Sequence, residues 1–196
     1  MKSPSPRLLS CGIFKREFDH LDEELRFRFR PLYFDSMLHM HPALLDAKLE
    51  SALNAEGNGP TIVAYGDCSP HMREFSAGRG RARTEGINCA QIALGSGVYR
   101  ELRREGSFFF MPEWAERWKE IFSQGLGFHE TGLERSFLRE SASLLVYVDT
   151  GCAEIPTAIL DEISEHFDLP FRIVKAGLAG IEAALRKALE EAVRES

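Results

Sequence analysis

The feature that most constrains this chain is a repeated grammar in which a short apolar run ends on a turn and a helical pattern follows. Leu8-Leu9-Ser10-Cys11-Gly12 has this form, and Thr61-Ile62-Val63-Ala64-Tyr65-Gly66-Asp67-Cys68 repeats it with a longer β-branched run. Leu144-Leu145-Val146-Tyr147-Val148-Asp149-Thr150-Gly151 is its clearest instance. Strands that alternate with helical patterns build βαβ units and hence a parallel sheet. Right-handed crossovers then place the helices on both faces. The expectation is an α/β fold, a three-layer Rossmann-like and mostly parallel sheet with helices on both faces.

Periodicity assigns the elements. Strands are predicted over 7–10, 29–34, 61–65, 107–111, 144–149 and 171–174, and 61–65 is apolar throughout, as a strand covered on both faces should be. Phe14, Phe18, Leu21 and Leu25 predict one helix over 15–25, and Leu44, Leu45, Leu49 and Leu53 another that opens at Pro42. A short helix follows Asn88, is interrupted at Gly95-Ser96-Gly97 and resumes to 105. Further helices are expected after Glu113, around 133–138, over 156–167 and over 181–193. The stretch 73–83, with Arg79, Arg81, Arg83 and interspersed glycines, reads as a mobile loop, with contact to an anionic ligand as the alternative. At 196 residues the chain suits one domain, 1–196. Its portions 1–124 and 125–196 both follow strand–turn–helix order, which admits two similar halves with a site between them.

Parallel strands deliver their C-terminal ends to one edge, and ligands of open α/β sheets bind in the crevice outside that edge. Cys11, Cys68 and Cys89 each stand where a strand yields to a loop or helix start, so three thiols distant in sequence can converge. Thiolates are soft ligands, and such a set suits zinc or an iron–sulfur cluster. His39, closing the second strand, is the candidate for a fourth position; His41 and His71, in turns near that edge, are weaker ones. Trp114, just past a strand end, is placed to face a bound molecule, and Glu113 beside it is a proton donor or a first-turn acid favoured by the helix dipole. The alternative for the cysteines is structural, because free cysteine is often a small buried apolar residue. Cys152, alone in the second half, is assigned to that class. His20 belongs to a solvated helix face, His166 to a helix end, and His129 follows two glycines where it could line the cleft.

Other classes are disfavoured. The irregularly spaced cysteines match neither a secreted disulfide scaffold nor a zinc ribbon, and no Cys-x-x-Cys pair supports thiol redox catalysis. Reduced thiols, a polar start without a signal-peptide core and no apolar stretch near the ~20 residues of a membrane span point to a cytoplasmic protein off the membrane. A net charge of −6 gives no footprint for nucleic acid. Neither Gly78-Arg79-Gly80 nor Gly95-Ser96-Gly97 has the spacing or lysine of a phosphate loop.

Several short motifs together resemble a family catalogued as domain of unknown function 1638. They are Cys11-Gly12, Leu38-His39, Tyr65-Gly66-Asp67-Cys68, Cys89 with Leu94-Gly95-Ser96 and Tyr99, Gly106-Ser107-Phe108-Phe109 leading to Trp114, and Val146 to Gly151. Where that family carries His-Asp-Cys, this chain has Ile87-Asn88-Cys89, which keeps the thiol and lacks the histidine. The resemblance implies a site at Cys11, His39, Cys68 and Cys89, and a context of corrinoid methyl transfer. The resulting expectation is a metal- or cluster-binding protein with a three-cysteine site open to a small molecule. A non-catalytic accessory module that binds a corrinoid or a partner protein is the alternative.

Overall fold

The computed structural model describes residues 5–55, 59–125 and 133–195. It is an α/β architecture of two all-parallel sheets flanked by helices, a Rossmann-like layout. The first sheet joins β1 (Arg7–Cys11), β2 (Arg30–Phe34), β3 (Thr61–Ala64) and β4 (Arg81–Arg83) in the order β2-β1-β3-β4. The second joins β5 (Ser107–Phe110), β6 (Leu144–Asp149) and β7 (Phe171–Lys175) in sequence order. The strands therefore divide between two sheets instead of filling one, because the three-residue β4 closes the first sheet and β5 opens a new one. No helix among the described residues is long and apolar enough to cross a membrane.

Register sets the level of the strand ends. Cys11 lies opposite Phe34 on β2, and Ser10 opposite Ala64 on β3, so β1, β2 and β3 finish together and their loops share one rim. Pro31, which cannot donate a ladder hydrogen bond, sits on the edge strand β2 where that loss is tolerated.

The helical patterns hold with two differences. The face Phe14, Phe18, Leu21 and Leu25 is buried as its spacing requires. Yet the helix is broken into α1 (Lys15–Asp19) and α2 (Glu23–Arg26), since Asp22 adopts an extended backbone (φ −49°, ψ 135°). The arginine-rich stretch 73–83 is not a loop throughout. Past α3 (Pro42–Asn54), it contains most of α4 (Met72–Ser76) and all of β4, and it is ordered by burial of Met72 and Ala82 and by Arg83, which bonds the Gly66 carbonyl and Asp67 at 3.1 and 2.6 Å.

The remaining helices are α5 (Cys89–Leu94), α6 (Ser96–Arg104), α7 (Pro112–Glu116), α8 (Trp118–Glu120), α9 (Leu133–Ser141), α10 (Thr157–Phe167) and α11 (Ala179–Arg194). The central strand β6 is apolar on both faces and serves two cores: Val146 and Val148 join the core shared with the first sheet, whereas Leu145 and Tyr147 join an aromatic core with Phe110, Phe122 and Phe167. The last helix, α11, returns to the first half and covers β3, β4 and α5 through Ile181, Leu185 and Leu189. Gly180 makes this docking possible, because any side chain there would run into the Ala93 carbonyl of α5.

Candidate functional site

Three chain segments meet at the rim of the first sheet. Cys11 is the last residue of β1, Cys68 lies in the turn after β3, and Cys89 is the first residue of α5. Two glycines fix how close these segments come. A Cβ on Gly12 would stand 2.8 Å from the Phe34 carbonyl oxygen, so the β1 turn lies directly on the end of β2. A Cβ on Gly66 would stand 2.5 Å from both Asn88 Cα and the Ile87 carbonyl oxygen, and Asp67 N–H donates to that carbonyl at 2.8 Å. The Cys68 turn is thereby locked against the entry to α5. Asn88 caps that helix, accepting from Gln91 N–H at 2.9 Å and donating to the Tyr99 hydroxyl at 2.7 Å.

The three cysteines are free and pack against the same core. Charge on Cys68 and Cys89 acts on Cys11, and charge on Cys68 acts on Cys89. Burial is the leading effect on all three and holds them protonated. Cys11 is pushed well above the usual thiol range and Cys89 up to about 12, while Cys68 is raised less because Gly66 N–H and Arg83 counteract its burial. A helix N-terminus ordinarily favours thiolate. At Cys89 the backbone N–H groups of α5 do pull in that direction, and desolvation outweighs them.

Glu113 brings the second half to this rim. It follows β5 in the first turn of α7, and its charge acts on Cys11, Cys89 and His39. Its Oε1 is clamped by the Ser36 hydroxyl at 2.8 Å and Arg117 Nη1 at 2.7 Å, and Arg117 also reaches Asp35 at 3.2 Å and Glu120 at 2.8 Å. Its Oε2 is buried with no hydrogen-bond partner. His39 donates from Nδ1 to the Ser36 carbonyl at 2.6 Å, since a carbonyl can only accept. Burial lowers its pKa, so the neutral ring leaves Nε2 as a lone-pair donor of the kind metals use. The ring lies on Trp114, with centroids 4.6 Å apart. Trp114 Nε1 and the Tyr65 hydroxyl, the latter within the field of Cys11 and Cys68, are also buried without partners.

The structure places Cys11 at the end of β1, Cys68 in the turn after β3 and Cys89 at the start of α5, and sets His39 on Trp114, next in sequence to Glu113. Among the described residues, however, no three His, Cys, Asp or Glu side chains are grouped as a metal shell requires. Of the other candidates, His41 is exposed at the start of α3, and His71 is exposed and bound through Nδ1 to Asp46 at 2.8 Å. Ser69 also donates to Asp46, so its hydroxyl and the His71 ring both face the one carboxylate. Cys152 lies apart, donating weakly to the Thr150 carbonyl at 3.6 Å. His129 falls outside the described residues.

Two clefts reach this region. One of about 490 Å³ is lined by Pro42, Asp67, Cys68, Met72 and Arg73 and gives solvent access to Cys68. The other, about 430 Å³, lies between the halves and is lined by Gly12, Arg16, Glu17 and Glu113. Glu17 has no signal in the sequence, where it reads as a solvent-facing helical acid; in the structure it is 0 % exposed and accepts from Thr150 Oγ1 at 2.9 Å.

The fold is that of an α/β protein of two parallel sheets, with Cys11 and Cys68 at strand ends of the first, Cys89 at the start of α5, and Glu113 brought to that rim from the second. Residues 33–185 match the model of the family described as Protein of unknown function (DUF1638), and the chain belongs to that family. No curated protein and no solved structure matches it.

Proposed function

We propose that the protein binds a metal ion or iron–sulfur cluster through Cys11, Cys68 and Cys89, with one position left for a small molecule. The observation that carries the reading is that the end of β1, the turn after β3 and the start of α5 bring three thiols to one rim, with charge on Cys68 and Cys89 felt at Cys11, where Glu113, Trp114 and Tyr65 also carry buried polar atoms without partners. Buried polar groups without partners are few in native proteins and ask for an occupant. By type the donor set fits a soft metal: three sulfurs, with His39 Nε2 as the candidate nitrogen. Bound there, zinc would act as a Lewis acid on a thiol or water, and a cluster would offer one exchangeable iron. Proton release from thiols held so far above neutrality makes loading favour higher pH. Small-molecule or methyl-group chemistry alongside a corrinoid protein is the context proposed for such a centre.

Protein prepared without air and supplied with iron and zinc is expected to contain metal, and Cys68→Ala to lose most of it. Colour separates the two, since zinc thiolates are colourless and clusters brown. Metal-free wild-type protein from that preparation would overturn the reading.

A second reading is favoured by the raised thiol pKa values and by the lack of a grouped metal shell among the described residues. In it the thiols are inert packing, and the crevice is an accessory module that receives a corrinoid or a partner protein. Slow labelling of all three thiols in native protein, together with absence of metal, selects this reading. Rapid labelling of metal-free protein, blocked by added zinc, selects the first.

A further inference from the structure

The arginines of the 73–83 stretch part company in the structure. Arg83 closes β4 and is bound to Asp67, whereas Arg81 opens β4 at the opposite edge of the first sheet, level with Thr61 on β3. Thr61 is in turn level with Arg7 on β1, and Arg7 with Arg30 on β2. Residues paired across neighbouring strands share a face of the sheet, so three guanidinium groups stand in one row. Burial and the like charges of Arg30 and Arg81 all lower the pKa of Arg7. Elsewhere the protein pairs arginine with acid, as in Arg83 with Asp67, Arg117 with Glu113 and Arg172 with Glu105. In this row, among the described residues, the bonds run to main-chain carbonyls: Arg7 to Ala52 and Ala55 at 2.6 and 3.0 Å, Arg81 to Leu53 at 3.5 Å, and Arg30 to Ser5 at 3.2 Å. Those of Ala52, Leu53 and Ala55 end α3, and a helix C-terminus offers only about half an elementary negative charge. Three full positive charges therefore keep an excess there, in a chain whose net charge is −6. Arg30 is exposed, and Arg7 and Arg81 are half-buried, so solvent reaches the row.

We propose that this edge of the first sheet binds a small diphosphate-bearing anion, with Arg7 at the centre of the site and Arg30 and Arg81 on either side. Like charges on facing positions of a sheet are destabilising until a counter-charge arrives, and guanidinium groups meet phosphoryl oxygens through paired, charge-assisted hydrogen bonds. A monocarboxylate cancels one charge of the three, whereas a diphosphate brings at least two. Arg7 and Cys11 are the first and last residues of β1, roughly 13 Å apart at the rise of a strand, so the site is separate from the thiols. The inference goes beyond the metal reading and shares no residue with it.

Calorimetric titration of the whole protein in low-salt buffer with inorganic pyrophosphate and with ADP, and with acetate as the control, tests the proposal. Saturable one-to-one binding of at least one diphosphate is expected, weakening as salt rises. Pyrophosphate binding alone assigns the site to the free anion, and binding of both extends it to diphosphate esters. Loss of one charge-assisted partner implies that Arg30→Gln weakens binding about tenfold. Arg30 is exposed and reaches one main-chain carbonyl, so this variant should fold. Arg172→Gln removes the same charge elsewhere and Cys68→Ala removes a thiol. Both should leave affinity within about twofold, which separates the site from bulk charge and its failure from failure of the metal reading. No saturable heat from either diphosphate up to about 10 mM, undiminished affinity in Arg30→Gln, an equal loss in Arg172→Gln, or acetate binding as tightly would overturn it.

Discussion

The two halves are built by the same rule and end in opposite chemistry. In the first, strand ends and the start of α5 present soft, neutral thiols at Cys11, Cys68 and Cys89, held protonated by burial. In the second, the start of α7 after β5 presents Glu113 and Trp114, and the end of β6 with the turn after it presents Asp149, Thr150 and Cys152. Their interiors differ as well: aliphatic side chains and α11 cover the first sheet, whereas rings of Phe110, Phe122, Phe167 and Phe171 pack over the second. A shared scaffold therefore fixes where functional groups can stand, and the turn residues decide what they are. Neither half alone completes the crevice, since Glu113 leans on Ser36 from the first half and Glu17 on Thr150 from the second.

The comparison is broken most forcefully at Phe110, fully buried in the aromatic core of the second half. Truncating a buried phenylalanine costs roughly 3–5 kcal/mol, so Phe110→Ala should lower the urea midpoint substantially. Because β6 lends Val146 and Val148 to the other core and α11 crosses back, a single shifted transition is expected. Two separate transitions would show that the halves unfold independently.

Gly66→Ala comes next. The added methyl meets the backbone of Ile87 and Asn88 in the turn leading to α5, which cannot rotate aside, and a cost of about 1–3 kcal/mol is expected from overpacking. On the proposed metal reading it should also push Cys68 away from Cys89, so metal loading should fall further than in a surface control of equal stability loss. Unchanged stability and metal content would mean that the two segments are not locked.

Much of this was legible in the sequence. Period-two and period-3.6 patterns carry the strands, the helical faces and the parallel pairing, because burial of a strand or helix face leaves a direct compositional trace. The strand ends were legible for a related reason: a turn must follow a buried strand, and Cys11 closes β1 while Cys68 stands in the turn after β3. What escaped depends on contacts remote in sequence. The split into two sheets turns on where β4 stops, and β4 itself is only Arg81-Ala82-Arg83, too short and too charged to read as a strand. Glu17 looks like any solvated helical acid until Thr150, far along the chain, covers it. Asn88, standing where the related pattern has aspartate, keeps the capping role that either side chain can fill.

Glu17 also gives a pH signature. Burial raises its pKa above 4.5, so between that value and its folded pKa the native state holds a proton that the unfolded chain has released. Stability therefore falls as pH rises through this window and stays lowered above it. Glu17→Gln should raise the thermal midpoint at pH 7, and the gain should shrink as pH approaches 4. A gain that is equal at both values would place the wild-type carboxyl in a well-solvated setting. The variant also sharpens the contrast between halves, since the only change is to one charge lying between them.

The smallest effect is expected where the halves touch at the surface. Arg16 and Glu116 form a bidentate pair across the boundary with good geometry, yet their side chains are 35 % and 41 % exposed. Water and salt screen such a pair, and holding two long side chains still opposes it, so Arg16→Ala should cost at most about 1 kcal/mol. The loss should diminish further in high salt, where exposed charges cease to act over a Debye length. A double-mutant cycle with Glu116→Ala measures the coupling directly. A coupling well above that limit, insensitive to salt, would mean that the junction is held by charge; a small one leaves the shared core around Val146, Val148 and α11 as the bond between the halves.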